Sequence, residues 1–484
     1  MDSEKKTKGD KGLSVTKEGD FSSWFTEIVQ KAELADLRYN VKGFLVFQPW
    51  SVMAMENIYK HLEGILRKKG HEPYWFPTVI PESNLIKEGE HLKGFTPQVF
   101  WITHGGETKF EEKLALRPTS ETAFYQMFAL WLRSYKQLPF KTYQRANVFR
   151  HETKATRPFL RSREFHWIET HCLFQDEERA MEQVHEDMQT TEELLHGFLG
   201  LPFMFFERPE WDKFPGASRT FAADVLNPDG KFVQQPSTHL IKHDFLKAFD
   251  VRFKDKEGKE RTPWATCYGP AVSRILASVI IVHGDDKGLR YPWSISPKQV
   301  VFVPLSERAE KKAHELAKKL SHDIICHIDT SEKSIGEKFN HWELKGVPLR
   351  VDIGEKELKD RKLSVFRRDI NKKELIAEKD FTKYVQRVKE EFDLNLRKQA
   401  DKLFDNRIKD AKDLKELKKF IESGNVVRCG FCSVAQDGAG CAERVEKEIG
   451  ADVRGTKLKS EKASGACVVC GKKAKHMVYV GRSY

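Results

Sequence analysis

From Val148 to Phe165 the chain reads VFRHETKATRPFLRSREF, which gathers Arg150, Lys154, Arg157, Arg161 and Arg163 with Glu152 and Glu164 to offset them. An arginine-rich loop is by default a solvated hairpin whose charges keep a sheet edge soluble. Three features point instead to an anion held between fixed cations. Strand-like alternation sets Arg150 and Glu152 on one face of one run, and Phe165 and Trp167 begin a second, so the basic loop joins neighbouring strands. The segment LRPTSETAFYQMFALWLRSY places Pro118, Thr119, Ser120 and Glu121 at the start of a helix whose apolar spacing runs through Phe124, Phe128, Trp131 and Tyr135. Such a start is either an ordinary cap or a group of amides that an anion can approach. In CYGPAVSRILASVIIVHGD, Arg274 stands about one turn into a long apolar helix, where an unpaired guanidinium is costly, so an anionic partner is expected.

A second chemical cluster lies near the other end. Of eight cysteines, five fall between Cys429 and Cys470. In a reducing compartment that density reads as metal binding rather than a disulfide framework. Spacing alone offers CGFC at Cys429 and Cys432 with CVVC at Cys467 and Cys470, a tetrahedral zinc pattern.

These groups need scaffolds, and 484 residues are too many for one core. Lys and Arg number 83 against 72 acids, and the net charge of +11 favours a polyanionic partner, nucleic acid first. No apolar run approaches the length that spans a bilayer. Residues 1–20 lack the apolar segment of a signal peptide and are expected to form a disordered, solvated tail. Residues 21–296 alternate amphipathic helices with strands such as KTYQRANVFRHE and REFHWIETHCLF, which predicts an antiparallel sheet with helices packed on it. After the linker YPWSISPK, the segments QVVFVPL, ERAEKKAHELAKKL, DIICHI, IGEKFNHWELKG and PLRVDIG alternate strand and helix, a small α/β domain with a mixed sheet over residues 297–398. From about residue 373 Lys and Glu at helical spacing lead through DLKELKKFIES into the cysteine-rich region, residues 399–484.

The segments LALRPTSET, NVFRHE and PFLRSREFHWIETH and the Arg274 helix, in this order, resemble the signatures of class II aminoacyl-tRNA synthetases. In detail the chain resembles prolyl-tRNA synthetases of the archaeal and eukaryotic type, from about Phe21 to the final GRSY. The resemblance implies an α+β catalytic domain on an antiparallel sheet, an α/β anticodon-binding domain and a small zinc-associated C-terminal α/β domain. It implies a cytoplasmic homodimer that joins L-proline to tRNA(Pro) through prolyl-adenylate, using ATP with Mg²⁺ and holding a structural Zn²⁺. Pro77 falls where these enzymes place the proline of their dimer-forming segment, although a proline bounding a strand is an equally simple local reading. There is no space between the basic loop and Arg274 for the large inserted domain with which some relatives hydrolyse mischarged tRNA. A paralogue that binds RNA without catalysis is the rival, and the intact set of Arg150, Glu152 and Arg274 argues against it.

Amino-acid activation needs a carboxylate to attack the α-phosphate of ATP, so two anions must be brought together, and positioning with charge neutralisation does most of the work. The resemblance assigns Arg150 to the α-phosphate and prolyl carboxylate, Glu152 to the adenine amino group, Arg161 to the far phosphates, Phe165 to a stack on adenine and Arg274 to the opposite face. Ser162, Gln234 and Ser237 complete the ATP set. It places Thr119 and Glu121 at the proline amine, Trp167, Glu169 and His171 around the ring, and His239 and Cys267 beside them. The chain departs from the family pattern at Gln235, Pro236 and Ser237, and at Cys267 and Tyr268 where Ser and Trp are common; these changes bear on discrimination among small amino acids. Glu343, Arg350 and Lys356 fall at the anticodon-reading positions, where they suit guanine edges in an unstacked loop. For zinc the family pattern selects Cys432 and Cys441 with Cys467 and Cys470, leaving Cys429 spare. The terminal Tyr484 belongs to an ending that folds back toward the catalytic domain.

Overall fold

The computed structural model describes residues 12–91, 98–459 and 461–484. An eleven-stranded sheet runs in spatial order Ile408–Ala411, Val426–Phe431, His476–Ser483, Asp452–Lys457, Met204–Glu207, Ala217–Leu226, Lys231–Ile241, Trp264–Tyr268, Glu164–Phe174, Phe140–Phe149 and Glu72–Pro73. From Asp452–Lys457 to Phe140–Phe149 successive neighbours are antiparallel. Helices cover this sheet because their apolar residues recur on one side. Pro49–Lys68 opens on a proline and buries Ala54, Ile58, Leu62 and Leu66 at four-residue spacing. Val272–His283 is buried almost all round, as a core helix must be. Both share a core with Trp24 and Ile28 of Phe21–Lys31.

A second sheet has the order Cys326–Ile328, Val300–Pro304, Leu349–Ile353, Lys362–Arg367 and Lys372–Ala377. Its first three strands are parallel and the last two pairings antiparallel, a mixed sheet. The Lys- and Glu-rich stretch from residue 373 therefore starts as a strand, and the helix follows at Phe381–Asp405. Pairing along the whole of Lys362–Arg367 overrides the helical leaning of KKELIA.

The C-terminal region does not fold apart from the catalytic one. Thr456 and Lys457 pair with Glu207 and Phe206, and Lys231 and Phe232 pair with Arg482 and Ser483, so a single sheet crosses both. Tyr484 ends against it, donating its backbone N–H to Phe232 O at 3.1 Å and its hydroxyl to Asp229.

Residues 12–20, expected within a solvated tail, also pack on the body. Asp20 caps the first helix, and Lys17 donates from Nζ to Gly284 O at 2.6 Å and from its backbone N to Asp286 at 2.7 Å. Burial pushes the Lys17 ammonium down to about 8. Residues 1–11 of that expected tail lie outside the described residues. Among the described residues no helix is long and apolar enough to cross a membrane.

Candidate active site

Strand register assembles the site. Thr220, His239, Cys267 and His171 stand directly opposite one another on four consecutive strands, so their side chains share one face. One step along, Gln144 opposes Glu169, and a further step sets Ala146 against Trp167. His239 is fixed on both sides, with Nδ1 3.0 Å from Thr220 Oγ1 and Nε2 3.0 Å from Ser237 Oγ. Burial pushes its imidazole down to about 4, so it is neutral at pH 7.

The helix Glu121–Trp131 begins beside this row, and Tyr135 lies beyond it in a separate turn. Ser120 occupies the N-cap position without a capping hydrogen bond; its Oγ accepts instead from Gln144 Nε2 at 2.7 Å. Thr119 donates to Glu121, and Cys267 Sγ lies 3.4 Å from the other Glu121 oxygen. Burial, with Glu121 and Glu169 nearby, holds the Cys267 thiol well above its ordinary value, so it is protonated.

Above this floor opens a cavity of about 670 Å³. It is lined by Thr119, Glu121, Trp167, His239 and Cys267 together with Arg150, Glu152, Arg161, Gln234 and Ser237. A narrower recess shares Arg150, Glu152 and Arg161 and adds Ser162, Phe165 and Arg274. A Cβ at Gly269 would stand 3.2 Å from the Trp167 ring, so the glycine there lets the backbone approach it. Glu169 and His171 do not line the cavity. They stand fully buried behind it, where Glu169 accepts from His171 Nε2 at 3.2 Å, Ser120 N at 3.2 Å and Gln144 Nε2 at 2.6 Å. Burial alone would raise this carboxyl; the hydrogen bonds outweigh it and hold Glu169 below the usual carboxylate range.

The basic loop divides its cations between two tasks. Arg163 donates to the backbone carbonyls of Lys42 and Glu152, and Arg157 lies over the rings of Phe21, Phe25 and Tyr484. Arg150 and Arg161 line both the cavity and the recess, and Arg274 lines the recess. Among the described residues no carboxylate lies within 4.0 Å of any of these three. Among the described residues, therefore, no side chain is the anionic partner expected for Arg274; its guanidinium donates to Gln234 O at 3.3 Å. Burial, then the charges of Arg150 and Arg161, push Arg274 down to about 10, and burial also lowers Arg150. Three guanidiniums with unspent charge around one recess form a receptor for a polyanion. Arg150 and Glu152 sit just past the end of Phe140–Phe149 rather than within it, and Arg150 Nε is steadied by Pro118 O at 3.2 Å. The Ser162 hydroxyl is already committed to Glu164 O at 2.6 Å.

In the mixed-sheet region Arg350 is 5% exposed, paired with Asp352 at 2.8 Å and Glu343 at 3.4 Å, and it lies 4.0 Å from the Phe339 ring. It is a buried, oriented guanidinium rather than part of a solvated strand end, whereas Lys356 is exposed on the short helix Glu355–Asp360. In the C-terminal region the sulfurs of Cys432, Cys441, Cys467 and Cys470 lie within 4.8 Å of one another. The Cys432–Cys441 separation of 3.7 Å matches the S···S spacing of about 3.8 Å that tetrahedral Zn–S bonds require. Cys429 stands outside this group, fully buried in the apolar core with Val427 and Phe431. Sequence reading missed Arg208, which lines the cavity from the start of a loop and carries no local signal.

Three family models match the chain: tRNA synthetase class II core domain (G, H, P, S and T) at residues 100–283, Anticodon binding domain at 299–388, and Prolyl-tRNA synthetase, C-terminal, at 414–484. The proline–tRNA ligase of Thermofilum pendens is 43% identical, covering 98% of this chain and 100% of the relative. That of Methanopyrus kandleri is 39% identical, covering 98% and 99%. Among solved structures, Giardia lamblia prolyl-tRNA synthetase in complex with prolyl-adenylate superposes with a TM-score of 0.93 at 34% identity, covering 98% of this chain and 100% of that one. The Cryptosporidium parvum enzyme complexed with halofuginone and AMPPNP gives 0.91 at 28% identity, with the same coverage.

Proposed function

The chain belongs to the prolyl-tRNA synthetase family and performs its ATP-dependent ligation of proline to tRNA, and we propose that the residues around its cavity divide that work as follows. The carrying observation is the convergence of Arg150, Arg161 and Arg274, unpaired by carboxylates among the described residues, around a recess that adjoins a cavity lined by Glu121. Proline enters with its ring against Trp167 and its ammonium toward Glu121 and Thr119. Glu169 and His171 shape this end from behind. ATP lies across the cavity where it adjoins the recess, adenine between Phe165 and Arg274 with its amino group toward Glu152, and the far phosphates at Arg161. Arg150 then faces both the prolyl carboxylate and the α-phosphate. A carboxylate oxygen attacks that phosphorus and pyrophosphate leaves, with charge on the phosphoryl oxygens neutralised by the guanidiniums and by the Mg²⁺ that accompanies ATP. The 3′-terminal hydroxyl of tRNA then attacks the prolyl carbonyl and AMP departs.

Glu343, Arg350 and Lys356 serve the reading of the anticodon of tRNA(Pro): Lys356 is exposed to meet a base or phosphate directly, and Arg350, whose donors are committed to Asp352, Glu343 and Phe339 O, holds the Glu343 carboxylate in place. Cys432, Cys441, Cys467 and Cys470 hold a structural zinc; four thiolates close the coordination sphere and leave no position for water. A homodimer is supported at Glu72–Pro73, the edge of the long sheet, beside which Trp75 is 90% exposed and Pro77 follows. The compartment we assign is the cytoplasm, where tRNA charging serves translation. We assign domain limits of 21–296, 297–398 and 399–484. Pyrophosphate exchange tests the division of labour: Arg274→Ala raises the KM for ATP with little change in that for proline, and Trp167→Ala does the reverse. Equal effects on both substrates from either variant would refute it.

A further inference from the structure

One buried ion network belongs to none of these roles. Arg454 lies on Asp452–Lys457, the C-terminal strand that joins the catalytic sheet, and is 6% exposed. Its Nε and Nη2 reach the two carboxylate oxygens of Asp224 at 2.8 Å and 3.1 Å. Arg208 grips the same carboxylate from the catalytic side, at 3.0 Å and 2.8 Å, and also donates to Arg454 O at 2.7 Å. Asp224 is fully buried, which alone would raise its carboxyl, but the two guanidiniums hold it below the usual range and so ionised. Arg208 then reaches onward, donating from Nη2 to Gln234 Oε1 at 3.2 Å.

That last bond fixes a choice that a carboxamide otherwise leaves open. A guanidinium only donates, so the oxygen of Gln234 must face Arg208 and the NH₂ group must face away from it. Gln234 is exposed on the cavity wall, Nε2 makes no hydrogen bond among the described residues, and its backbone oxygen accepts from Arg274. The amide is thus set as a donor for an oxygen of whatever occupies the cavity.

We propose that Arg454 is a positioning residue for nucleotide binding: through Asp224 and Arg208, the C-terminal domain locks the Gln234 carboxamide with its NH₂ toward an oxygen of ATP. This rests on the reading of Gln234 as an ATP contact. Without the Arg454 side chain, Asp224 is held from one side only, and Asp212, 3.8 Å from Arg208 Nε, competes for the guanidinium. Arg208 then no longer holds Gln234 in one orientation.

The test is steady-state pyrophosphate exchange with the full chain. Arg454→Met is expected to raise the KM for ATP about 3- to 10-fold, the worth of one oriented hydrogen bond. The KM for proline should stay within about twofold, and Arg454→Lys should recover part of the loss. Gln234→Ala should show the same split, and the double variant should be no worse than Gln234→Ala alone. Unchanged KM for ATP in folded Arg454→Met, or effects that multiply in the double variant, overturns the inference while leaving the Gln234 reading intact. Unchanged KM for ATP in Gln234→Ala removes that reading and the inference with it. If Arg454→Met does not fold, Arg454→Lys alone decides: it raises the KM for ATP about 2- to 3-fold or the inference fails.

Discussion

Replacing Glu169 by Gln, behind the cavity wall, should damage both stability and proline binding. The carboxylate accepts three donors, Gln144 Nε2 on Oε1 and Ser120 N with His171 Nε2 on Oε2. A carboxamide has one oxygen, so in either orientation its NH₂ confronts at least one of these donors. Gln144 cannot flip to help, because its Nε2 also serves Ser120 Oγ at 2.7 Å and its oxygen accepts Phe76 N at 3.0 Å. One opposed, buried donor pair costs about 1–3 kcal/mol. Relief comes by displacing Ser120, which moves the start of the helix that carries Glu121, and hence raises the KM for proline several-fold. The pH dependence carries the sign of the group. Because the folded pKa of Glu169 lies below its ordinary 4.5, its contribution is present above that pH and is lost as pH falls through the folded value. The gap in unfolding free energy between wild type and Glu169→Gln, from denaturant titration, should therefore be constant from pH 5 to 8, on the order of the cost above, and shrink below about 4.5. A gap below about 0.5 kcal/mol at pH 7 with an unchanged KM for proline would refute the reasoning.

Cys441→Ser should lower bound zinc per chain, measured by elemental analysis, whereas Cys429→Ser should keep the metal and cost about 1–3 kcal/mol of stability by placing a hydroxyl in an apolar core. Arg350→Ala should raise the KM for tRNA in aminoacylation by about 3- to 10-fold, because it releases the Glu343 carboxylate that the guanidinium holds, while proline-dependent pyrophosphate exchange keeps its wild-type rate.

Much of this was legible because local pattern and tertiary role agree. The alternation in KTYQRANVF and FHWIETH specifies two strands, and their antiparallel pairing brings Arg150 to Arg163 across the mouth of the connecting loop. What sequence could not rank is which cations of that loop face inward. Arg157 and Arg163 have the same local character as Arg161 but meet rings and carbonyls contributed by the N-terminal region and, for Arg157, by Tyr484. The same holds for Glu169 and His171: alternation places them on the face of Trp167, but not their depth, which depends on the Glu121–Trp131 helix closing over them. KKELIA became a strand because a partner was present, and Arg208 entered the site through Asp224 and Arg454, the latter 246 residues away in sequence. Contacts of that range leave no periodic trace in one sequence.

The most direct test of the central claim is proline-dependent exchange of pyrophosphate into ATP by wild type and Arg150→Ala. If Arg150 faces both the carboxylate and the α-phosphate, its removal lowers kcat/KM by about 10²–10³, the cost of losing one fixed donor at the developing charge, while the fold is unchanged by circular dichroism. Exchange within about tenfold of wild type in a folded, zinc-loaded Arg150→Ala would contradict the account.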